Sequence, residues 1–599
     1  MCGLVTIVTG RNRPVSFSVL EAMTDTISHR GPDDVGYAWV SPSGEITESR
    51  DGFEQAELEG VLIGHRRLSI LDLTQAAHQP FLNTTKSMVL AYNGEVYNFV
   101  ELRNELREYG IRFRSSSDTE VVLAAYEHWG TNAFQRFNGM WACAIWDGEN
   151  KKLVVSRDRF GVKPLYFSVV EGTWIFASEL KSILCYPSID RRLDDNQVLD
   201  YLTHGLVNHN DATFFAAVRS VPPATVIELT NGKLNAFKYW TYDPPHENLS
   251  EAEAVERYRT LLWDAVRIRS RSDVPIGTML SGGLDSTSIT ALIVKQSQLG
   301  GSNDSESRGL KSFHNTFTAC WPDAQEVDEE KEVDLLCTKL GLASQKIYPS
   351  AEEIWELLPR ITYYLDEPFE SPVSVVQFLL MRRARESGVK VVLNGHGSDE
   401  ALAGYPETYV SPYLAELLLS GRIRDFRRER VLFGEFYYPR QVLLEFGWGV
   451  TPRVLRRGLG QLVAQAANPA VGVFARNNRR LCSRGNFDKN VPQKLSSLNA
   501  GLWRSFHSRI IPYWLRMEDR MSMAHGVESR LPFMDYRLVE LAFQLPATMK
   551  LNKGRTKYIL RQAMDNLLPA QIVNKRRKRR FEVPYASWLR GPWRSKIES

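Results

Sequence analysis

The chain has 599 residues, 43% of them hydrophobic and 24% charged, with a formal net charge of +4. That length requires more than one core, the composition excludes a disordered or membrane-embedded protein, and so small a charge gives no ground for nucleic-acid binding. Six cysteines, at 2, 143, 185, 320, 337 and 482, show neither disulfide density nor the paired spacing of a zinc site; with no signal-peptide pattern and no stretch near the roughly 20 apolar residues of a membrane span, a cytoplasmic protein is expected.

In chain order, the first third carries strand-like runs: GLVTIVTG (3–10), VLIGHRRLSI (61–70), SMVLAYNG (87–94), MWACAIWD (140–147), KLVVSRD (152–158), PLYFSVV (164–170) and WIFASE (174–179). Helical patterns VELRNELREYG (100–110) and DTEVVLAAYEHWG (118–130) lie between them, which predicts packed sheets with helices outside. Further short strands follow in ATVIELTNGKLNAFKYW (224–240), with an Asn-Gly turn at the centre. The composition shifts at TYDPPHENLSEAEA (241–254) into a long amphipathic helix reaching about Arg271.

Beyond it the pattern is strand, glycine loop and helix, the periodicity of an α/β domain. VPIGTMLSGGLDSTSITALIVKQS (274–297) predicts a strand ending at Leu280, a glycine turn and a helix, while SFHNTFTACW (312–321) and GVKVVLNGHGSDEALAGY (388–405) predict further buried parallel strands. Residues 410–500 read as helical and offer no chemistry. Two large domains are expected, 1–218 and 219–599, the second with its core at about 255–590.

Removal of Met1 would make Cys2 the chain terminus. A terminal cysteine brings its own general base, because an α-amine titrating near ~7.7–8 can take the thiol proton directly or through water. A Met-Cys-Gly start alone leaves both a catalytic and an ordinary processed terminus open. Five ordered segments bear on the choice: SHRGPDD (28–34), GHRRLSILDL (64–73), YNGEVYNF (92–99), SSSDTEV (115–121) and SRDRFGVKPLYF (156–167). Segment by segment they resemble the amino-terminal glutaminase domain of glutamine-hydrolysing asparagine synthetases, a class II, Ntn-type αββα domain. The resemblance implies that Cys2 attacks the side-chain carbonyl of glutamine, that Asn93 and the N–H of Gly94 form the oxyanion hole, that Arg67 grips the α-carboxylate, and that Glu95 and Asp118 receive the α-ammonium. Asn93 also counts among the glutamine-binding residues.

LSGGLDSTS (280–288) lacks both Gly-x-Gly-x-x-Gly and the Walker lysine. Gly282 and Gly283 nevertheless let successive backbone N–H groups converge on an anion at a helix start, with Ser281 and Ser286 as further donors. Asp285 inside such a nest makes electrostatic sense when a cation intervenes, which points to magnesium pyrophosphate. The loop resembles the PP-loop of enzymes that cleave ATP to AMP and pyrophosphate. LDEPF (365–369), GSDEALAGY (397–405), RMEDRMSMAHGVESRLPFMDYRLVELAF (516–543) and LNKGRTKYILRQAM (551–564) carry the synthetase-domain pattern of the same family, an adenine-nucleotide hydrolase-like α/β fold. The resemblance assigns Leu280, Ser281, Gly282, Gly283, Asp285, Ser286 and Gly395 to ATP, Asp285 and Asp399 to Mg2+, and Lys557 to the phosphates or the reacting centre. Arg530 and Asp535 could form a structural pair, a supporting role being favoured over a catalytic one.

NGHGSDE (394–400) places His396 where the family carries a glutamate and its β-lactam-forming relatives a tyrosine. Three roles stay open for His396: shaping the choice of acceptor acid, proton transfer to or from the nitrogen nucleophile, or a turn position facing away. The expected activity is glutamine-dependent, ATP-consuming amide formation on an acyl-adenylate, most simply aspartate to asparagine. The alternatives are the same chemistry on another carboxylic acid and a non-catalytic scaffold. Glutamine and a small acid are the expected partners, the family admits a homodimer, and the basic run Lys575 to Arg580 reads as a solvated or phosphate-facing surface.

Overall fold

The computed structural model describes residues 2–598 apart from 56, 243–248, 300–312, 314, 452–490, 493–494, 577 and 579–581. Much of the 410–500 segment and Cys482 therefore lie outside the described residues. Within that segment Pro406–Leu419, Ile423–Leu432 and Pro439–Val450 are helices, as the pattern predicts. The other five cysteines are free thiols. No helix among the described residues is long and apolar enough to cross a membrane.

Two antiparallel sheets build the amino-terminal half. The seven-stranded one runs in the order Arg219–Ser220, Tyr166–Val170, Thr173–Ala177, Cys2–Val8, Val61–Arg67, Asp34–Val40, Ile46–Ser49. The six-stranded one runs Lys233–Lys238, Thr225–Thr230, Lys152–Arg157, Gly139–Asp147, Met88–Val96, Phe81–Leu82. Inward residues of both, among them Leu4, Ile63, Ala91, Ala144 and Val155, form one core cluster between the sheets. Helices cover the outer faces: Phe99–Glu108 and Asp118–Trp129 on the six-stranded sheet, Phe17–Asp25 and Leu180–Leu184 on the other. The result is a helix, sheet, sheet, helix sandwich. A strand buried on both faces needs apolar residues at every position, which is why CGLVTIV at 2–8 is a nearly continuous apolar run.

The hairpin at 224–240 forms as the Asn-Gly signal predicts, with Asn231 and Gly232 both at positive φ, 50° and 74°. Its strands belong to the six-stranded sheet through pairing of Thr225–Thr230 with Lys152–Arg157, and Arg219–Ser220 pairs with Tyr166–Val170. The division expected at 218–219 therefore falls inside the amino-terminal sheets, and the architecture changes only after Lys238. Hydrogen bonding across sequence distance fixes that boundary, whereas composition shifts only at 241–254.

The helix Glu251–Arg269, opened by a capping box between Ser250 and Glu253, leads into a five-stranded, all-parallel sheet. Its order is Ala343–Ile347, Asn315–Ala319, Ile276–Met279, Val391–Leu393, Glu528–Arg530. The first strand in sequence lies in the middle, so the chain winds outward one way and then the other. The turn-around falls between Ile276–Met279 and Val391–Leu393, and in open α/β sheets the crevice beyond the carboxyl ends at that point receives ligands. Those two strands feed LSGGLDS and NGHGSDE.

Candidate active site

The first constellation lies at one end of the sheet sandwich. Cys2 opens its strand and pairs directly across the ladder with Arg67. Asn93, Gly94 and Glu95 occupy the end of Met88–Val96 on the facing sheet. Asp118 begins the helix Asp118–Trp129, capped by Ser117. Cys2, Arg67, Gly94, Glu95 and Asp118 line one pocket, together with Gln79, Tyr92 and Thr119.

Local contacts aim each group. The backbone N of Cys2 donates to Asn93 Oδ1 at 3.1 Å, which turns the Asn93 amide so that its buried Nδ2 has no protein acceptor and can serve a developing oxyanion. Gly94 approaches Trp141 of the neighbouring strand so closely that a Cβ would meet the Met140 carbonyl oxygen at 2.3 Å, so only glycine fits. The Arg67 fork is held by the carbonyls of Thr74 (3.1 Å), Leu71 (3.4 Å) and Asp72. Burial pushes the Cys2 thiol up, partly offset by the Leu68 backbone and Arg67.

The two pocket acids are unequal. Asp118 accepts from the Tyr92 hydroxyl at 2.9 Å and the Val96 N–H at 3.0 Å, whereas Glu95 Oε1 is buried without a hydrogen-bond partner. Burial, with the neighbouring Asp118 charge, raises the Glu95 carboxyl well above the usual range. Burial raises Asp118 too, opposed by its two donors. The raised pKa favours the protonated carboxyl over a wider range of pH than for an ordinary glutamate, and a ligand ammonium would favour the ionised form, so a glutamine bound as the sequence resemblance implies should release a proton. The KM for glutamine is therefore expected to fall as pH rises through the elevated Glu95 pKa. A Glu95→Gln variant should show a KM that is higher by about tenfold or more and flat with pH; initial-rate titrations across pH check this.

The second constellation surrounds the turn-around point of the parallel sheet. Lys557 Nζ pairs with Asp285 and lies 2.6 Å from Asp399 Oδ1, and Ser398 Oγ donates to Asp285 Oδ1 at 2.9 Å. Two carboxylates from the two expected loops therefore face one cation. Burial opposes the charge on both partners. For Lys557 the attraction of Asp285 and Asp399 outweighs it and raises the amine above its usual value, while Lys557 and Lys578 outweigh it for Asp399 and hold its carboxyl low. In the glycine loop, Ser286 Oγ accepts from Ser281 N at 3.3 Å and Gly282 takes φ +62°. Gly395 packs so that a Cβ would come within 3.0 Å of Asp285 Cβ. Leu280, which ends the strand run, is buried, and Gly283 precedes the helix Leu284–Leu299.

His396 turns toward the helix Ile511–Met523: Nδ1 lies 3.0 Å from Glu518 Oε2, and the ring is 5.8 Å from that of Trp514 at 31°. Burial would lower its pKa; the Glu518 charge outweighs this and raises it. The same carboxylate accepts from Asn394 Nδ2 at 3.0 Å and from Gln377 and Ser529.

Several participants escape a linear reading. Arg530 does not pair with Asp535: its Nε binds Glu528 at 2.5 Å, Nη1 takes the carbonyls of Arg269 (2.9 Å) and Arg271 (2.5 Å), and Nη2 reaches to 3.5 Å from Glu95 in the first pocket. Asp535 instead binds Arg269 at 2.8 Å, Arg537 at 2.9 Å and Asn138 Nδ2 at 2.9 Å. Removing one member of such a buried pair costs about 3–5 kcal/mol, so these contacts clamp the two halves together. Lys578, from the run read as a solvated or phosphate-facing surface, pairs with Asp399 and lies 4.3 Å over the Tyr405 ring. Lys575 pairs with Glu329 at 3.2 Å. Gly404 is held by the site itself, since a Cβ there would meet Asp399 Oδ1 at 1.7 Å and Lys557 Cε at 2.5 Å.

Sequence comparison bears on both halves. A family profile described as asparagine synthase matches residues 257–599, and one described as a glutamine amidotransferase domain matches 1–240. Similar proteins include asparagine synthetase [glutamine-hydrolyzing] 1 of Bacillus subtilis (strain 168), 29% identical over 98% of this chain and 88% of that protein. Asparagine synthetase [glutamine-hydrolyzing] 3 of the same strain is 28% identical over 100% and 90%. Amidase chyE of Penicillium rubens is 28% identical over 97% and 86%.

Proposed function

Because the chain belongs to the asparagine synthase family, as its match across 257–599 shows, we propose that it takes ammonia from glutamine at Cys2 and adds it to aspartate activated as an AMP ester at the parallel-sheet loops, giving asparagine. The observation that supports this reading most is the convergence of Asp285, Asp399 and Lys557 at the sheet's turn-around point, with the Cys2 pocket touching the same domain through Arg530.

In the first half-reaction Arg67 holds the glutamine α-carboxylate, and Glu95 with Asp118 holds its α-ammonium. The Cys2 sulfur attacks the side-chain carbonyl carbon while the terminal amine, freed by loss of Met1, takes the thiol proton. Asn93 Nδ2 and the Gly94 N–H stabilise the tetrahedral oxyanion. Collapse breaks the C–N bond, the amine returns its proton, and ammonia leaves. Water then hydrolyses the thioester to glutamate.

In the second half-reaction the acceptor carboxylate attacks the α-phosphorus of ATP and pyrophosphate departs. Ammonia attacks the resulting acyl carbon, AMP leaves with the carboxylate oxygen, and one proton is lost from nitrogen. A bare carboxylate does not undergo this substitution, because its leaving group would be oxide. Asp285 and Asp399 suit Mg2+: they are hard oxygen donors already facing a shared positive charge. Bound there, Mg2+ would neutralise charge building on the polyphosphate. Lys557 supplies a compact cation for the phosphates, and the Gly282–Gly283 backbone and the Ser281 and Ser286 hydroxyls cradle the leaving pyrophosphate. Ammonia is largely protonated in neutral water, so making it inside the same molecule delivers the reactive free base.

His396 bears on the choice of acceptor. Paired with Glu518, it presents a ring with a partly satisfied charge where the family presents a carboxylate. ATP-pyrophosphate exchange across a panel of acids should therefore shift in His396→Glu, with the preference between aspartate and its nearest competitor changing by about tenfold. An unchanged preference would remove His396 from acceptor choice. The same chemistry on another acid is the reading that gains if wild type exchanges best with an acid other than aspartate.

A further inference from the structure

The helix Ile511–Met523 carries two consecutive acids that face the two sites. Glu518 holds the acceptor loop, as described for His396 and Asn394. Asp519 turns the other way into the amino-terminal half, where both of its oxygens are taken by Arg30: Nη1 to Oδ2 at 2.8 Å and Nη2 to Oδ1 at 3.1 Å. The third nitrogen of that guanidinium, Nε, donates to the carbonyl oxygen of Cys2 at 3.0 Å. Arg30 is fully buried, and Asp519 is 3% exposed. Glu179 binds Arg30 Nη1 from one side at 2.8 Å, and Lys163 Nζ lies 3.4 Å from Asp519 Oδ1 on the other.

The fork geometry matters. Guanidinium is rigid and planar, so a bidentate grip by Asp519 fixes the direction of Nε and with it the carbonyl of the nucleophilic residue. A lysine at 30 could satisfy either the carboxylate or the carbonyl, but not both in a fixed plane. The contact path from the acceptor loop to the nucleophile is thus His396, Glu518, one peptide unit, Asp519, Arg30, Cys2. Helix backbone links its middle members, Glu518 and Asp519 being consecutive residues of Ile511–Met523.

We propose that Asp519 is a positioning residue for the glutaminase nucleophile, acting through Arg30, and that the Glu518-Asp519 turn ties the setting of Cys2 to the state of the acceptor loop. The inference rests on the assignment of Cys2 as nucleophile. Asp519 touches no substrate; its effect is on where the Cys2 carbonyl, and hence its thiol and amine, sit. Displacements near 1 Å at a reacting group cost on the order of 10²-fold in rate.

The test uses the full chain and three readouts: glutamine hydrolysis, alkylation of Cys2 by iodoacetamide, and amide formation from added ammonia. Wild type should hydrolyse glutamine and alkylate faster with ATP, Mg2+ and aspartate than without. Asp519→Asn should lower the kcat of hydrolysis and the alkylation rate by about 10–100-fold, leave the glutamine KM within about twofold, and abolish the acceleration by ATP and aspartate. Its ammonia-dependent amide formation should stay within about twofold of wild type. Arg30→Lys, which keeps the buried charge, should reproduce this pattern and serves if Asp519→Asn fails to fold; Asp519→Glu should recover part of the lost kcat. A wild type that ignores ATP and aspartate overturns the tie between sites. Unchanged hydrolysis and alkylation in both variants, or a parallel fall in ammonia-dependent synthesis, overturns the positioning role. A Cys2→Ala control separates the two assignments: hydrolysis that survives it removes the nucleophile, whereas hydrolysis that needs Cys2 but ignores Asp519 counts against this inference alone.

Discussion

Cys2→Ala is expected to abolish glutamine-dependent amide formation, by about 10⁴-fold or more, and to leave synthesis from added ammonia near wild type. The size follows from the role of the sulfur: without it no covalent intermediate forms, and the oxyanion donors and binding groups alone retain only the residual catalysis seen when a nucleophile is deleted. The selectivity follows from the fold. Asp285 and Asp399 lie in the first turns of the helices Leu284–Leu299 and Ser398–Ala401, Lys557 caps Tyr558–Met564, and the three hold one another. The substitution is also conservative in packing, because Cys2 is buried at 5% exposure in a strand fixed by its ladders to Val61–Arg67 and Thr173–Ala177. Paired assays with glutamine and with ammonium salts check this at a pH where free ammonia is present. Loss of both activities together would mean that Cys2 serves the fold rather than the chemistry.

Lys557→Met should give the converse, with ATP-pyrophosphate exchange and amide formation falling by about 10²–10³-fold while glutamine hydrolysis persists. The lysine is buried and faces two acids that raise its pKa against the lowering effect of burial, so it is charged throughout the neutral range. Removing a preorganised cation from a site that handles polyphosphate forfeits stabilisation of the charge that develops there. The remaining pair of aspartates, with Lys578 still on Asp399, should bind Mg2+ readily but position the nucleotide poorly. Exchange assays with and without aspartate, beside a glutaminase assay, separate this outcome from general unfolding, which would silence both halves.

The residues expected to form the first site come together because they lie in short contiguous segments that backbone pairing joins. Cys2 opposes Arg67 in an antiparallel ladder, and Asn93, Gly94 and Glu95 are three successive positions of one strand. The glycine loop and the second acid are brought together for a similar reason: each follows a short apolar strand, and parallel pairing aligns the two strand ends. What the linear pattern hid depends on partners far apart in sequence. Arg530 reaches Glu95, Lys578 reaches Asp399, and Arg30 reaches Asp519, and in each case the side chain alone reads as an ordinary surface charge. Arg530 and Asp535, a possible pair from the sequence, take buried partners on Glu528 and Arg269 instead. The domain edge moved for the same reason, since Thr225–Thr230 looks like any half-buried strand until its partner Lys152–Arg157 is known.

His396 marks where residue type and position diverge. As a neighbour of two glycines it is compatible with an idle turn, yet the fold sets it 3.0 Å from a carboxylate that also holds Asn394 and Ser529. Only the location of Glu518, on a helix more than a hundred residues later, reveals that arrangement.

Nitrogen transfer between the two sites is tested most directly by mass spectrometry of the product formed from amide-labelled glutamine, ATP, Mg2+ and aspartate in the presence of excess unlabelled ammonium. The structure predicts that asparagine carries the labelled amide nitrogen and accumulates in step with AMP and pyrophosphate. Unlabelled asparagine, or AMP released with all of the label left as free ammonium, would contradict it.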